Sequence, residues 1–176
     1  MEYAKLGKSG IEVSRLCVGC MSFGRPSEDF HEWTLNPNET EEIVKKALDL
    51  GINFFDTANT YSHGTSEEYL GRALKKNIAR NKVVIGTKVY FNEGHLSKEA
   101  VRREIDGSLK RLGTDYVDLY IYHMWDYQTP LYDIMEGLDR VVKAGKARYI
   151  GISNCFAWQL AKANALAERE GFAKFV

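Results

Sequence analysis

Two patterns of apolar residues alternate along the chain. Short unbroken runs at 52–55, 83–87, 117–122 and 147–152 read as strands buried on both faces. Between them lie longer segments in which apolar residues recur every three or four positions, the spacing of an amphipathic helix. The first such segment carries Ile43, Val44, Ala47 and Leu48, with Asn38 and Glu41 as a capping-box variant at its start and Gly51 at its end. The second, after a capping box at 65–68, carries Tyr69, Leu70, Ala73 and Leu74. The third opens at Ser97, presents Val101, Ile105, Leu109 and Leu112 on one face, and closes at Gly113. The fourth follows Pro130, with Leu131, Ile134, Leu138, Val141 and Val142, and ends at Gly145. The fifth spans 156–170, before Gly171.

Upstream, segments 3–6 and 11–14 flank Gly7-Lys8-Ser9-Gly10 and predict a hairpin. A short strand is expected at 16–18, then a loop at 25–37 that carries Phe30, His31 and Trp33 and is long for a plain connection. Phe175 and Val176 read as the start of a further strand. The expected organisation is therefore a hairpin over 1–15 and βα units over 16–176, with about five strand–helix units and the beginning of a sixth strand. An open doubly wound sheet and a (β/α)8 barrel both fit this alternation; the barrel typically takes about 250 residues.

Composition narrows the function classes. The chain has 176 residues, 24 Lys+Arg against 24 Asp+Glu, and a formal net charge of zero. A basic field for nucleic acid is absent, and so is an apolar run of the roughly 20 residues that cross a bilayer. Neither nucleic acid nor a membrane is an expected partner. The first ten residues lack the apolar stretch of a secretion signal, so a cytoplasmic location is expected. Cys17 and Cys20 form a C-x-x-C, but they lie on a strand and the loop after it, not at a helix N-terminus, and Cys155 is isolated. They are expected to be a buried strand cysteine and a loop cysteine, with no metal site.

In both architectures ligands gather at the carboxyl ends of the parallel strands. Reading those ends gives Asp56 with Tyr61 on the following loop, then Lys88, then His123, then Ser153 and Asn154. An ammonium beside a phenol, which ordinarily titrates near about 10, favours the phenolate. A carboxylate keeps that ammonium charged, and a neutral imidazole can hydrogen-bond a carbonyl oxygen. The four groups suit protonation of a carbonyl oxygen while a cofactor delivers hydride to its carbon. Taken singly, each also has an ordinary structural use: Asp56 as a turn cap, Tyr61 as a rim aromatic, Lys88 as a solvated charge, His123 as a core histidine, and Ser153 or Asn154 as a helix cap.

The stretch GINFFDTANTYSHGTSEEYLGRAL at 51–74 closely resembles the signature of the aldo-keto reductase family. GTK at 86–88, YIYH at 120–123 and GISN at 151–154 resemble its further motifs in order. GCMSFG at 19–24 and Trp125-Asp126 are similar to its aryl-alcohol-dehydrogenase-like branch. The resemblance implies a (β/α)8 TIM-barrel fold, here limited to about five units plus the start of strand six, and reversible NADPH-dependent reduction of aldehydes and ketones to alcohols. Consistent with it, no G-x-G-x-x-G follows a strand. It implies Tyr61 as general acid/base, Lys88 and Asp56 as its tuning pair, and His123 as the group that orients the carbonyl. Met21, Asp56, Ser153 and Asn154 would meet the cofactor, and Trp33, Tyr90, Trp125 and Tyr127 would wall a pocket for a small-molecule carbonyl or alcohol.

The family's grip on the NADP phosphates lies in units beyond position 176. Half a barrel leaves apolar residues uncovered and two sheet edges unpaired, so self-association or a complementing fragment is expected. The competing reading is a catalytically inactive half-barrel that serves as an interaction or regulatory module.

Overall fold

A computed structural model of the chain describes residues 1–28 and 30–176. An antiparallel hairpin, β1 (Tyr3–Lys5) with β2 (Glu12–Ser14), precedes five parallel strands. These are β3 (Val18–Gly19), β4 (Phe54–Asp56), β5 (Val84–Val89), β6 (Val117–Tyr122) and β7 (Ala147–Ile152). Helices α1 (Pro37–Asp49), α2 (Thr65–Asn77), α3 (Lys98–Leu112), α4 (Leu131–Lys143) and α5 (Ala157–Glu170) alternate with them. Phe175 makes a parallel bridge to Ile150, so the chain turns into a further strand position at its end.

The strand order β3-β4-β5-β6-β7 is the order of the chain. A doubly wound sheet reverses direction at a switch point, and none occurs among these five strands. The sheet is wound one way, as in a (β/α)8 barrel, of which it forms the part that five units supply.

Alternation along the strands sorts the residues into two populations. Phe55, Ile85, Val89, Tyr120, Tyr122 and Ile150 are buried beneath the helices with Leu70, Ile105, Ile134, Met135 and Leu138. The opposite face holds two rows in register, Asp56–Gly86–Leu119 and, one step nearer the carboxyl ends, Lys88–Ile121–Gly151. The hairpin packs at the amino ends of the strands, where Ile11 and Val13 meet Val84, Phe54 and Tyr149. Tyr149 Oη donates to the carbonyl of Ser9 at 2.5 Å, and the Asn53 side chain bonds Ser14 and Glu12 on β2.

Several local expectations change. α1 is capped by Asn36, not Asn38: the Asn36 side chain accepts from Asn38 N and Glu39 N, Glu39 accepts from Asn36 N, and Pro37 takes the first helical position. Proline there loses only an amide that the first turn would leave unbonded. Ile43 points outward, and Thr40 fills the buried position instead. Thr65 is the first residue of α2 and not its cap, because Gly64 occupies the cap in a left-handed conformation. The first parallel strand is Val18–Gly19, which leaves Leu16 60% exposed. That shift reverses the cysteines: Cys17 is exposed and Cys20 is buried. No helix among the described residues is long and apolar enough to cross a membrane.

Candidate active site

The carboxyl ends of β4, β5 and β6 bring four side chains together. Lys88, the fifth residue of β5, is buried and donates from Nζ to Asp56 Oδ2 at 2.8 Å, to the Thr57 carbonyl at 2.8 Å and to Tyr61 Oη at 3.1 Å. An ammonium has three protons, and these three acceptors use them all.

Tyr61 reaches Lys88 from a turn after β4. The loop is tied to β5 by Thr57 N donating to the Gly86 carbonyl and Asn59 N donating to the Lys88 carbonyl. Tyr61 then begins a 3-10 turn in which Ser62 (φ 46°) and His63 (φ 54°) adopt left-handed backbone. The Lys88 ammonium also lies 4.7 Å from the centre of the Tyr61 ring.

His123, one residue past β6, meets Tyr61 edge to face, with ring centres 5.9 Å apart. Its Nδ1 is buried with no hydrogen-bond partner among the described residues, which leaves Nε2 to face an incoming group. Burial, and secondarily the Lys88 charge, push its pKa down to about 4. The imidazole is neutral at pH 7, a donor through one nitrogen and an acceptor through the other. Phe91 covers it edge to face at 5.1 Å.

Asn154 sits just past β7 in a left-handed conformation (φ 48°), which is tolerable for asparagine. Its Nδ2 donates to the His123 carbonyl at 2.9 Å and to Ser153 Oγ at 3.1 Å. Neither residue caps α5, whose first turn is instead closed by Gln159 Oε1 accepting from Phe156 N. Ser153 and Asn154 thus stand beside His123 at the rim, where a hydroxyl and an amide complement a carboxamide. Met21 is exposed on the 3-10 turn after β3.

The aromatic residues expected to wall a pocket are more dispersed. Trp125 is buried and stacks on Tyr122 at 5.8 Å. Tyr127 is exposed, and its hydroxyl accepts from Gln159. Tyr90 packs between Phe91 and His95 and reaches His123 only through Phe91. Trp33 is exposed and stacks on His31 at 4.4 Å; His31 meets Phe30 at 4.3 Å, and Phe30 lies 6.5 Å from Tyr61. Phe91 and Phe30 are the aromatics nearest His123 and Tyr61, and sequence reading did not single out Phe91. Its signal was its position two residues past β5, on a loop that must turn across the strand ends.

Comparison with known proteins identifies the family to which the chain belongs. Residues 15–176 match the profile described as the Aldo/keto reductase family. The versiconal hemiacetal acetate reductase of Aspergillus parasiticus is 42% identical over 200 aligned residues, covering 100% of this chain and 57% of its own. A Schizosaccharomyces pombe protein that carries an aryl-alcohol dehydrogenase name is 36% identical, covering 99% of this chain and 57% of its own. The crystal structure of the thermostable aldo-keto reductase Tm1743, in complex with the inhibitor epalrestat, superposes with a TM-score of 0.83 at 33% identity, covering 94% of this chain and 58% of that one. The chain therefore spans a little over half the length of the relatives it matches. With the profile covering almost the whole sequence and the fold superposing on that of a solved aldo-keto reductase, the chain belongs to the aldo/keto reductase family.

Proposed function

We propose that the chain carries the proton-transfer half of an NADPH-dependent oxidoreductase that interconverts aldehydes or ketones with alcohols. The observation that carries this reading is the three-point hold on Lys88, which sets its ammonium between Asp56 and the Tyr61 phenol. In reduction, Tyr61 Oη gives its proton to the carbonyl oxygen. The phenolate left behind lies beside the Lys88 ammonium, and Asp56 keeps that ammonium charged and aimed. His123, neutral through the working pH range, offers a hydrogen bond to the same oxygen and so polarises the carbonyl without competing as an acid. In oxidation of an alcohol the proton returns to Tyr61 by the same path.

Ser153 and Asn154 suit the carboxamide of a nicotinamide, and Met21 and Asp56 border the same rim. Bound there, the cofactor would supply or accept the hydride that no side chain can. Phe91 and Phe30, with Trp33 and His31 further out, give the mouth an aromatic lining and favour planar or aromatic carbonyl compounds.

The test is cofactor titration followed by turnover. Saturable quenching of tryptophan fluorescence by NADPH, with aldehyde-dependent loss of NADPH, is expected of the protein. Tyr61→Phe should leave cofactor binding intact and lower kcat/KM by about 100-fold to 10,000-fold. Turnover that survives in Tyr61→Phe would remove Tyr61 from the role.

A further inference from the structure

The proposed chemistry needs Tyr61 and Lys88 at one spacing, yet the two stand on separate elements. Lys88 is fixed in β5. Tyr61 leads into three consecutive left-handed residues, Ser62, His63 and Gly64. Two of them pay for that conformation with backbone strain, which persists only where surrounding contacts over-determine it. Something outside the turn must hold it against β5.

Besides the backbone bonds of Thr57 and Asn59 to β5, a set of side-chain contacts that does so converges on one carboxylate. Glu67, in the first turn of α2, is completely buried. Its Oε1 accepts from Thr87 Oγ1 at 2.5 Å, and Thr87 is the residue before Lys88, facing the helix side of the sheet. Its Oε2 accepts from Arg111 Nε at 2.6 Å, and Arg111 comes from α3. The Arg111 side chain also lies against the strained turn itself: a Cβ on Gly64 would fall 2.8 Å from its Cδ. A buried carboxylate is tolerated only when both oxygens are bonded. The two donors here arrive from different elements, so few arrangements of β5, α2 and α3 satisfy Glu67.

We infer that Arg111 and Thr87, acting through Glu67, are positioning residues that set the distance between Tyr61 and Lys88. The inference rests on the proposed roles of those two residues. Thr87 couples the carboxylate to the lysine strand, Arg111 couples it to the tyrosine turn, and neither touches the reacting groups.

The experiment places 3-fluorotyrosine at position 61 of the full chain and reads it by fluorine NMR. Lys88→Met is the reference. It should displace the fluorine resonance by removing the ammonium beside the phenol. If it does not, the assigned Tyr61–Lys88 contact fails, and the inference falls with it. Given that displacement, Thr87→Val, which replaces the hydroxyl by a methyl, should reproduce at least half of it, and Thr87→Ser should restore the parent resonance. Arg111→Met should displace and broaden the line. A Thr87→Val protein that unfolds at lower temperature but keeps the parent resonance would show a merely structural role and overturn the inference. Thr87→Val also keeps the test decisive should Arg111→Met fail to fold.

Discussion

Gly71 on α2 approaches Leu112 on α3 so closely that a Cβ at position 71 would fall 2.3 Å from the Leu112 carbonyl oxygen. Two opposed effects meet here. Alanine is the better helix former by about 1 kcal/mol, whereas forcing a methyl against backbone in a packed interior costs typically about 1–3 kcal/mol. The contact is with a carbonyl that cannot rotate away, so the second effect wins. Gly71→Ala is expected to destabilise the protein by about 1–2 kcal/mol, seen as a lower urea midpoint at unchanged slope.

Acid should act through His123. Its pKa falls from 6.5 to about 4 on folding, chiefly through burial. The unfolded chain therefore binds more protons between those values, and stability declines as pH falls from about 6.5 toward 4. After discounting for solvent screening, His123 accounts for about 2 kcal/mol of that decline. His123→Gln should flatten the slope of melting temperature against pH in this window and leave it unaltered above pH 7.

At the amino ends of the strands, Asp118 accepts from Arg80 Nη2 at 2.7 Å, Arg148 Nη1 at 3.1 Å and Ile85 N at 3.0 Å, in almost complete burial. Removing a buried partner strands the groups it satisfied. Asp118→Ala should cost about 3 kcal/mol in chemical denaturation. Arg148→Ala, which removes a half-exposed donor, should cost less than about 1 kcal/mol.

Phe91→Ala tests the aromatic mouth. An edge-to-face contact contributes about 0.5–1.5 kcal/mol. Its loss should raise KM for an aryl aldehyde by about 3-fold to 10-fold while an aliphatic aldehyde of similar length is little affected. Uncovering His123 weakens the burial that depresses its pKa, so its titration should move up from about 4, readable by proton NMR of the ring.

How much of this was legible in the sequence depended on what set each feature. β6 and β7 begin and end where their apolar runs do, and α3 runs from its Ser97 cap to Gly113 in left-handed conformation, because local chemistry sets those limits. Asp56, Lys88 and His123 were readable because strand ends in this architecture converge, and Tyr61 because it follows the first of them. The α1 cap was misplaced because Pro37 reads equally as the end of a loop and the start of a helix. The cysteines were reversed because a shift of one or two positions in a two-residue strand reassigns its faces. The apolar pattern does not tell that Trp125 turns inward to Tyr122 on β6 while Phe91 turns toward His123 just past it. The Glu67 carboxylate had a visible place in the motif, but its partners lie 20 and 44 residues away.

The bond from Tyr149 to the Ser9 carbonyl joins positions 140 residues apart, and with it the hairpin closes over strands that lie far along the chain. Closing so long a loop has an entropic cost that must be met before the contact gives any return. The βα units, whose contacts run between neighbours, can assemble in the order they leave the ribosome, but the hairpin's bond to Tyr149 must wait until β7 has formed. The hairpin is then a late seal rather than a nucleus. Tyr149→Phe, which removes the hydroxyl from this bond, should quicken unfolding while leaving the folding rate almost untouched.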